Sequence, residues 1–139
     1  MTSILNLTKE RDAHVDQRLR NDLTIWLNTV RPDGRPHAVV VWFLWDGEAI
    51  LIFSQPDKQK LRNLQHNSNV VLAVDNTRDG SDPITIEGIA TLLNPGEINT
   101  AHPSYVEKYG EHIKRIGYTP EQMAIAYSQP IRIIPTRVM

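Results

Sequence analysis

Residues 37–54, HAVVVWFLW-DG-EAILIFS, constrain the fold of this chain more than any other stretch. Two apolar runs flank an Asp-Gly pair, the two-residue connection most favoured between antiparallel strands. A hairpin over these residues is the expectation, and both of its faces are apolar. His37, Val39, Val41, Phe43 and Trp45 alternate with Ala38, Val40, Trp42 and Leu44; then Ala49, Leu51 and Phe53 alternate with Ile50, Ile52 and Ser54. An antiparallel strand with one wet face alternates apolar with polar residues. The outer face of this hairpin therefore needs a cover: the chain's own helices, a partner subunit or a planar aromatic ligand. A chain of 139 residues has little else with which to cover it, so a homodimer is expected.

The remaining pattern is that of one mainly β domain over residues 1–139, with an N-terminal helix at about 8–20 and a barrel at about 22–138. TKERDAHVDQRLR, from Thr8, is polar and suits an exposed helix with Thr8 as N-cap. LTIWLNTV, to Val30, reads as a strand, and RPDGRP after it is a turn. Helix 58–66 follows the hairpin, with Asp57 as its N-cap and Leu61 and Leu64 facing inward. NVVLAVDN is a strand, TRDGSDP a loop, and PITIEGIATLL a long strand with Ile84, Ile86, Gly88, Ala90 and Leu92 on one face. Residues 96–127 read as helix in two or three pieces, broken at His102-Pro103, Gly110 and Gly117 to Pro120; PIRIIPTRV closes the chain as a strand. Six mostly antiparallel strands with helices inserted predict a small barrel with α additions.

Composition excludes several classes of function. Net charge is −1, so the molecule as a whole has no electrostatic pull towards nucleic acid or acidic membranes. There is no cysteine, which removes disulfides, thiolate metal sites and cysteine nucleophiles. No segment approaches the ~18 apolar residues of a membrane span. The first residues show no signal-peptide pattern, so a cytoplasmic location is the expectation. The five histidines, His14, His37, His66, His102 and His112, have no metal-ligand spacing and suit surface or capping positions. Glu107 and Glu111, interleaved with Lys108 and Arg115, read as a solvated helix face. No catalytic acid or base stands out.

One local feature points to chemistry. Lys58 and Lys60 occupy the expected first turn of a helix, with Arg62 just behind. The unpaired N–H groups there are already partly positive, and Lys58 and Arg62, four apart, repel each other. An anion such as a phosphate turns this conflict into a site.

The order DGRP, VWF, a second DG, a strand ending Phe53-Ser54 and then KQKLRNL resembles the pyridoxamine-phosphate-oxidase-like split β-barrel superfamily. It is most similar to the short subgroup of deazaflavin (F-420)-dependent oxidoreductases, and ITIEGIATLL and PIRIIPTRV resemble that family's central and terminal strands. The resemblance implies a six-stranded antiparallel split barrel that is dimeric, with its cofactor at the dimer interface. It implies cofactor-phosphate contacts from Ser54 and Lys60, supported by Lys58 and Arg62, and a wall for the ring from Val40, Val41 and Trp42. Two positions depart from the pattern: Gln59 stands where the family has an Arg, and Pro83 where FMN-dependent oxidases have a Gln. The sequence stops at Met139, so the resemblance is not expected to extend to the segment those oxidases use for the vitamin substrate. These departures tilt the cofactor towards F-420 over FMN. The implied function is hydride transfer between that cofactor and a small conjugated substrate. The alternative is an FMN-binding carrier or redox partner without turnover of its own. A barrel binding single-stranded nucleic acid is disfavoured by charge and by the apolar setting of Trp42, Phe43 and Trp45.

Overall fold

The computed structural model describes residues 3–139. Helix α1 (Glu10–Asn21) precedes strands β1 (Ile25–Val30), β2 (Pro36–Val41), β3 (Leu44–Trp45) and β4 (Ile50–Ser54). Then come α2 (Gln59–His66), β5 (Asn69–Val74), β6 (Ile84–Leu92), α3 (Pro103–Arg115), α4 (Pro120–Ala126) and β7 (Gln129–Val138). All seven strands form one antiparallel sheet in the order β2-β1-β5-β6-β7-β4-β3.

The sheet has seven strands, one more than the six expected, because the apolar run at residues 37–45 does not stay whole. It breaks at Trp42-Phe43. The first part, β2, pairs with β1 across the RPDGRP turn, and only Leu44–Trp45 pairs with β4 across Asp46-Gly47. So β2 and β3 are opposite edges of the sheet, yet Val41 and Leu44 are three residues apart. Three residues span at most about 11 Å. The sheet must curl until its edges nearly meet, which is a split barrel.

The barrel interior is filled by alternate residues of every long strand, including Ile25, Leu27, Ile50, Ile52, Leu72, Ile84, Ile86, Ile131 and Ile133. The face predicted for β6 is the buried one: Ile84, Ile86, Gly88 and Ala90 are inside and Leu92 packs on the core. At Gly88 the β6–β7 register shifts, and a Cβ there would lie 2.8 Å from Ile133 Cγ2 and 2.9 Å from the Ile134 carbonyl oxygen. Only glycine permits that approach.

Three helix details differ from expectation. Helix α1 starts at Glu10 rather than near Thr8, because the Thr8 hydroxyl and amide both bond Asn6 Oδ1 in a local turn. The helix is then fixed to the barrel by buried Arg18, which pairs with Asp22 and Asp82, and by Asp16, which accepts from Trp45 Nε1 at 2.9 Å. Gly110 does not interrupt α3, whose Tyr105, Tyr109 and Ile113 are all buried at spacings of four. Their packing outweighs the roughly 1 kcal/mol that an interior glycine costs. Lys108 is not solvated either: its ammonium donates to the Phe43 and Leu19 carbonyls and lies 3.9 Å from the centre of the Phe43 ring. Burial pulls its pKa down to about 8.

Candidate functional site

The charged stretch after β4 takes a different form from the one its sequence suggests. Asp57 is not the N-cap; it sits in the left-handed region at φ 64, and Lys58 takes the N-cap position without capping any amide by its side chain. Lys58 therefore lies just outside the helix, exposed, and the first turn is Gln59, Lys60 and Leu61. That turn contains no acidic residue.

Lys60 is half-buried, and its pKa is lowered first by burial and then by the charge of Lys58. Among the described residues, no salt bridge reaches Lys58, Lys60 or Arg31. Ser54 is fully buried at the end of β4 and donates to the Gln55 carbonyl at 2.7 Å.

Two residues outside the expected set join these lysines. Arg31 and His37 stand at the two ends of the β1–β2 turn, where Val30 pairs with Pro36 and Thr29 with His37. Arg31 and Lys60 both act electrostatically on His37, whose pKa is lowered by burial first and then by those two cations. Nε of Arg31 and Nδ1 of His37 are buried without a hydrogen-bond partner. His37 is thus partly buried rather than freely exposed, beside two cations and with one ring nitrogen unpaired. The signal for it is the RPDGRP turn, which brings positions 31 and 37 to one end once β1 and β2 are paired.

Arg62 is committed elsewhere. It donates to the Asp57 carbonyl at 3.0 Å and to Gln59 Oε1 at 2.9 Å. Gln59 in turn donates to Asn63 Oδ1 at 2.7 Å, and the buried Asn63 donates to Thr29 Oγ1 at 2.9 Å. Gln59 therefore orients Asn63, whose amide ties α2 to β1.

The three residues expected as a ring wall point three ways. Val40 faces outward and is 52% exposed beside its cross-strand neighbour Trp26. Val41 packs against the barrel core, and Trp42 stacks on Tyr109 under α3. Only Val40 offers an outward apolar side chain; the other two brace the strand from behind.

A cleft of about 900 Å³ lies elsewhere, on the α3 side, among Leu44, Leu51, Ile98, Lys108 and Arg132. It contains none of the residues of the cationic cluster. Among the described residues no three His, Asp or Glu side chains converge as a metal site, and no helix is long and apolar enough to cross a membrane.

The family model for pyridoxamine 5'-phosphate oxidase matches residues 12–139. The chain belongs to the pyridoxamine 5'-phosphate oxidase family. Solved structures agree with this on the fold. An F-420 reductase is 25% identical, with 89% of this chain and 94% of that one covered at a TM-score of 0.71. A FAD-binding protein from Mesorhizobium loti is 20% identical over 91% and 88%, with a TM-score of 0.66. HutZ, a heme storage protein from Vibrio cholerae, is 16% identical over 94% and 92%, with a TM-score of 0.64. No curated protein is a significant match. Proteins that share this fold are thus named for different ligands, so the ligand has to be argued from the residues of this chain.

Proposed function

We propose that the chain is a deazaflavin- or flavin-dependent oxidoreductase that works as a homodimer and moves a hydride between its cofactor and a small conjugated substrate. The observation that carries this reading is the run of mutually opposing cations from Lys58 and Lys60 at the start of α2 to His37 and Arg31 at the β1–β2 turn, with Nε of Arg31 and Nδ1 of His37 unpaired. Cations that repel one another and leave donors unused fit a phosphate, which neutralises the charge and takes the hydrogen bonds. Gln59 and Pro83, at the two departures from the FMN pattern, favour F-420 over FMN, and the 25% identity to an F-420 reductase supports the same choice.

The bound ring supplies the hydride chemistry. The chain's own residues supply charge, position and dryness. Lys60, Lys58, Arg31 and His37 hold the phosphate, and the Ser54 hydroxyl lies at the strand end that leads into the same loop. Val40 presents an apolar edge to the ring, while the Trp42–Tyr109 stack keeps the strand behind it from shifting. Dimerisation is supported by the outward patch of Trp26, Val40, Val71 and Ile89, which a second copy would cover and which borders the β2 strand.

The test is titration of the apoprotein with F-420 and with FMN, followed by single-turnover assays of the reduced complexes with conjugated acceptors. Saturable binding and acceptor-dependent reoxidation are expected. Binding without reoxidation by any acceptor would assign the chain as a carrier or redox partner, and no binding of either cofactor would refute the reading.

A further inference from the structure

We infer that His37 takes up a proton together with the anion that binds beside it, so that phosphate and proton load the site as one event. The inference rests on the phosphate-binding reading above but concerns what one side chain does within it.

The surroundings of His37 oppose its charge and leave its ring unsatisfied. Its Nδ1 is buried and has no hydrogen-bond partner, and the Nε of Arg31, at the other end of the same turn, is in the same condition. The charged groups acting on His37 are Arg31 from the β1–β2 turn and Lys60 from α2, both cations. The acidic group on that turn, Asp33, accepts from Arg35 Nε at 2.8 Å and also feels the charge of Arg31, but does not act on His37. Across the strand pair, Thr29 opposes His37, and its hydroxyl already accepts from Asn63. Burial first, and then the charges of Arg31 and Lys60, oppose a positive charge on His37 and hold its pKa below the ordinary histidine value.

A phosphate monoester works against the two cations. Two negative charges offset Arg31 and Lys60, and an imidazolium donates from both nitrogens, which satisfies the orphaned Nδ1. His37 thereby supplies the positive charge that Gln59 does not, but only when there is an anion to pair with it. Linkage sets the sign. If binding raises the pKa of His37, affinity falls as pH rises through the window between the free and bound values, by at most about tenfold per pH unit for one proton.

Direct titration of the His37 imidazole by NMR tests this, in the apoprotein alone, with excess inorganic phosphate, and with FMN. The midpoint should lie below about 6.5 in the empty protein and move upward with either anion. In parallel, FMN affinity of the wild type should fall several-fold between pH 7 and 8, where a phosphate monoester (second pKa about 6) is already a dianion. His37→Gln should bind more weakly at pH 7 and lose that slope. A midpoint that neither anion moves, or an identical slope in wild type and His37→Gln, would overturn the inference. FMN binding that leaves the midpoint in place would sink the inference and keep the cofactor reading. A shift with phosphate but no flavin binding would do the reverse.

Discussion

The indole of Trp42 lies flat on the phenol ring of Tyr109, with centroids 4.7 Å apart and planes 3° from parallel. This stack marks where the apolar run at residues 37–45 is divided between two edges of the barrel. The Tyr109 hydroxyl completes the join: it accepts from the Phe43 amide at 2.9 Å and lies 2.7 Å from the Leu23 carbonyl as a donor.

Tyr109→Phe keeps the stack and removes only the hydroxyl. The buried Phe43 amide loses its acceptor, so the folded state should lose about 1–3 kcal/mol. Chemical denaturation of the mutant against wild type measures it. A mutant of equal stability would mean that the hydroxyl does not hold the break between β2 and β3.

Asp57 occupies a left-handed conformation, φ 64, that L residues adopt at a cost. Asp57→Gly relieves that strain, offset in part by the freedom glycine gains in the unfolded chain, for a net gain of up to about 1 kcal/mol. Thermal melts of the two apoproteins decide it. A lower melting temperature for the mutant would show that the carboxylate, not the backbone, is what matters at this position.

Val40 and Trp26 are cross-strand neighbours on the outer sheet face, 52% and 51% exposed. If they form the proposed dimer contact, they should not tolerate charge. Wild-type protein should scatter light as a dimer at micromolar concentration, and Val40→Glu should scatter as the 15.8 kDa chain. A monomeric wild type would contradict the dimer reading.

The strands that alternate cleanly are legible in the amino-acid pattern alone. In β6 the inward set Ile84, Ile86, Gly88 and Ala90 follows from period two, and β5 and β7 lie where their apolar runs stand. The break at Trp42-Phe43 is not legible, because a run apolar on both faces fits a continuous hairpin as well as a divided one. What divides it comes from far along the chain: Lys108 and Tyr109 of α3 bond the backbone of Phe43. The candidate site is legible only in part. Lys58 and Lys60 announce themselves by charge at a helix start. Arg31 and His37 do not, since their nearness depends on which strand β2 pairs with. Gln59 stands out as a missing cation, while its bond to Asn63 shows why α2 needs an amide there.

Lys60→Ala tests the central claim most directly. If Lys60 bonds the cofactor phosphate, the substitution removes a charge-assisted contact of roughly 1.5–3 kcal/mol, or about 10- to 150-fold in affinity. Apo stability should stay level or rise slightly, because a half-buried cation leaves the positive end of a helix and the neighbourhood of Lys58 and His37. The wild type should also lose more affinity with added salt than the mutant does. The measurement is titration of both apoproteins with F-420 and with FMN, beside their thermal melts. Weakened binding with unchanged or raised apo stability is the predicted result. Equal affinities, or affinity and stability lost together, would contradict the account.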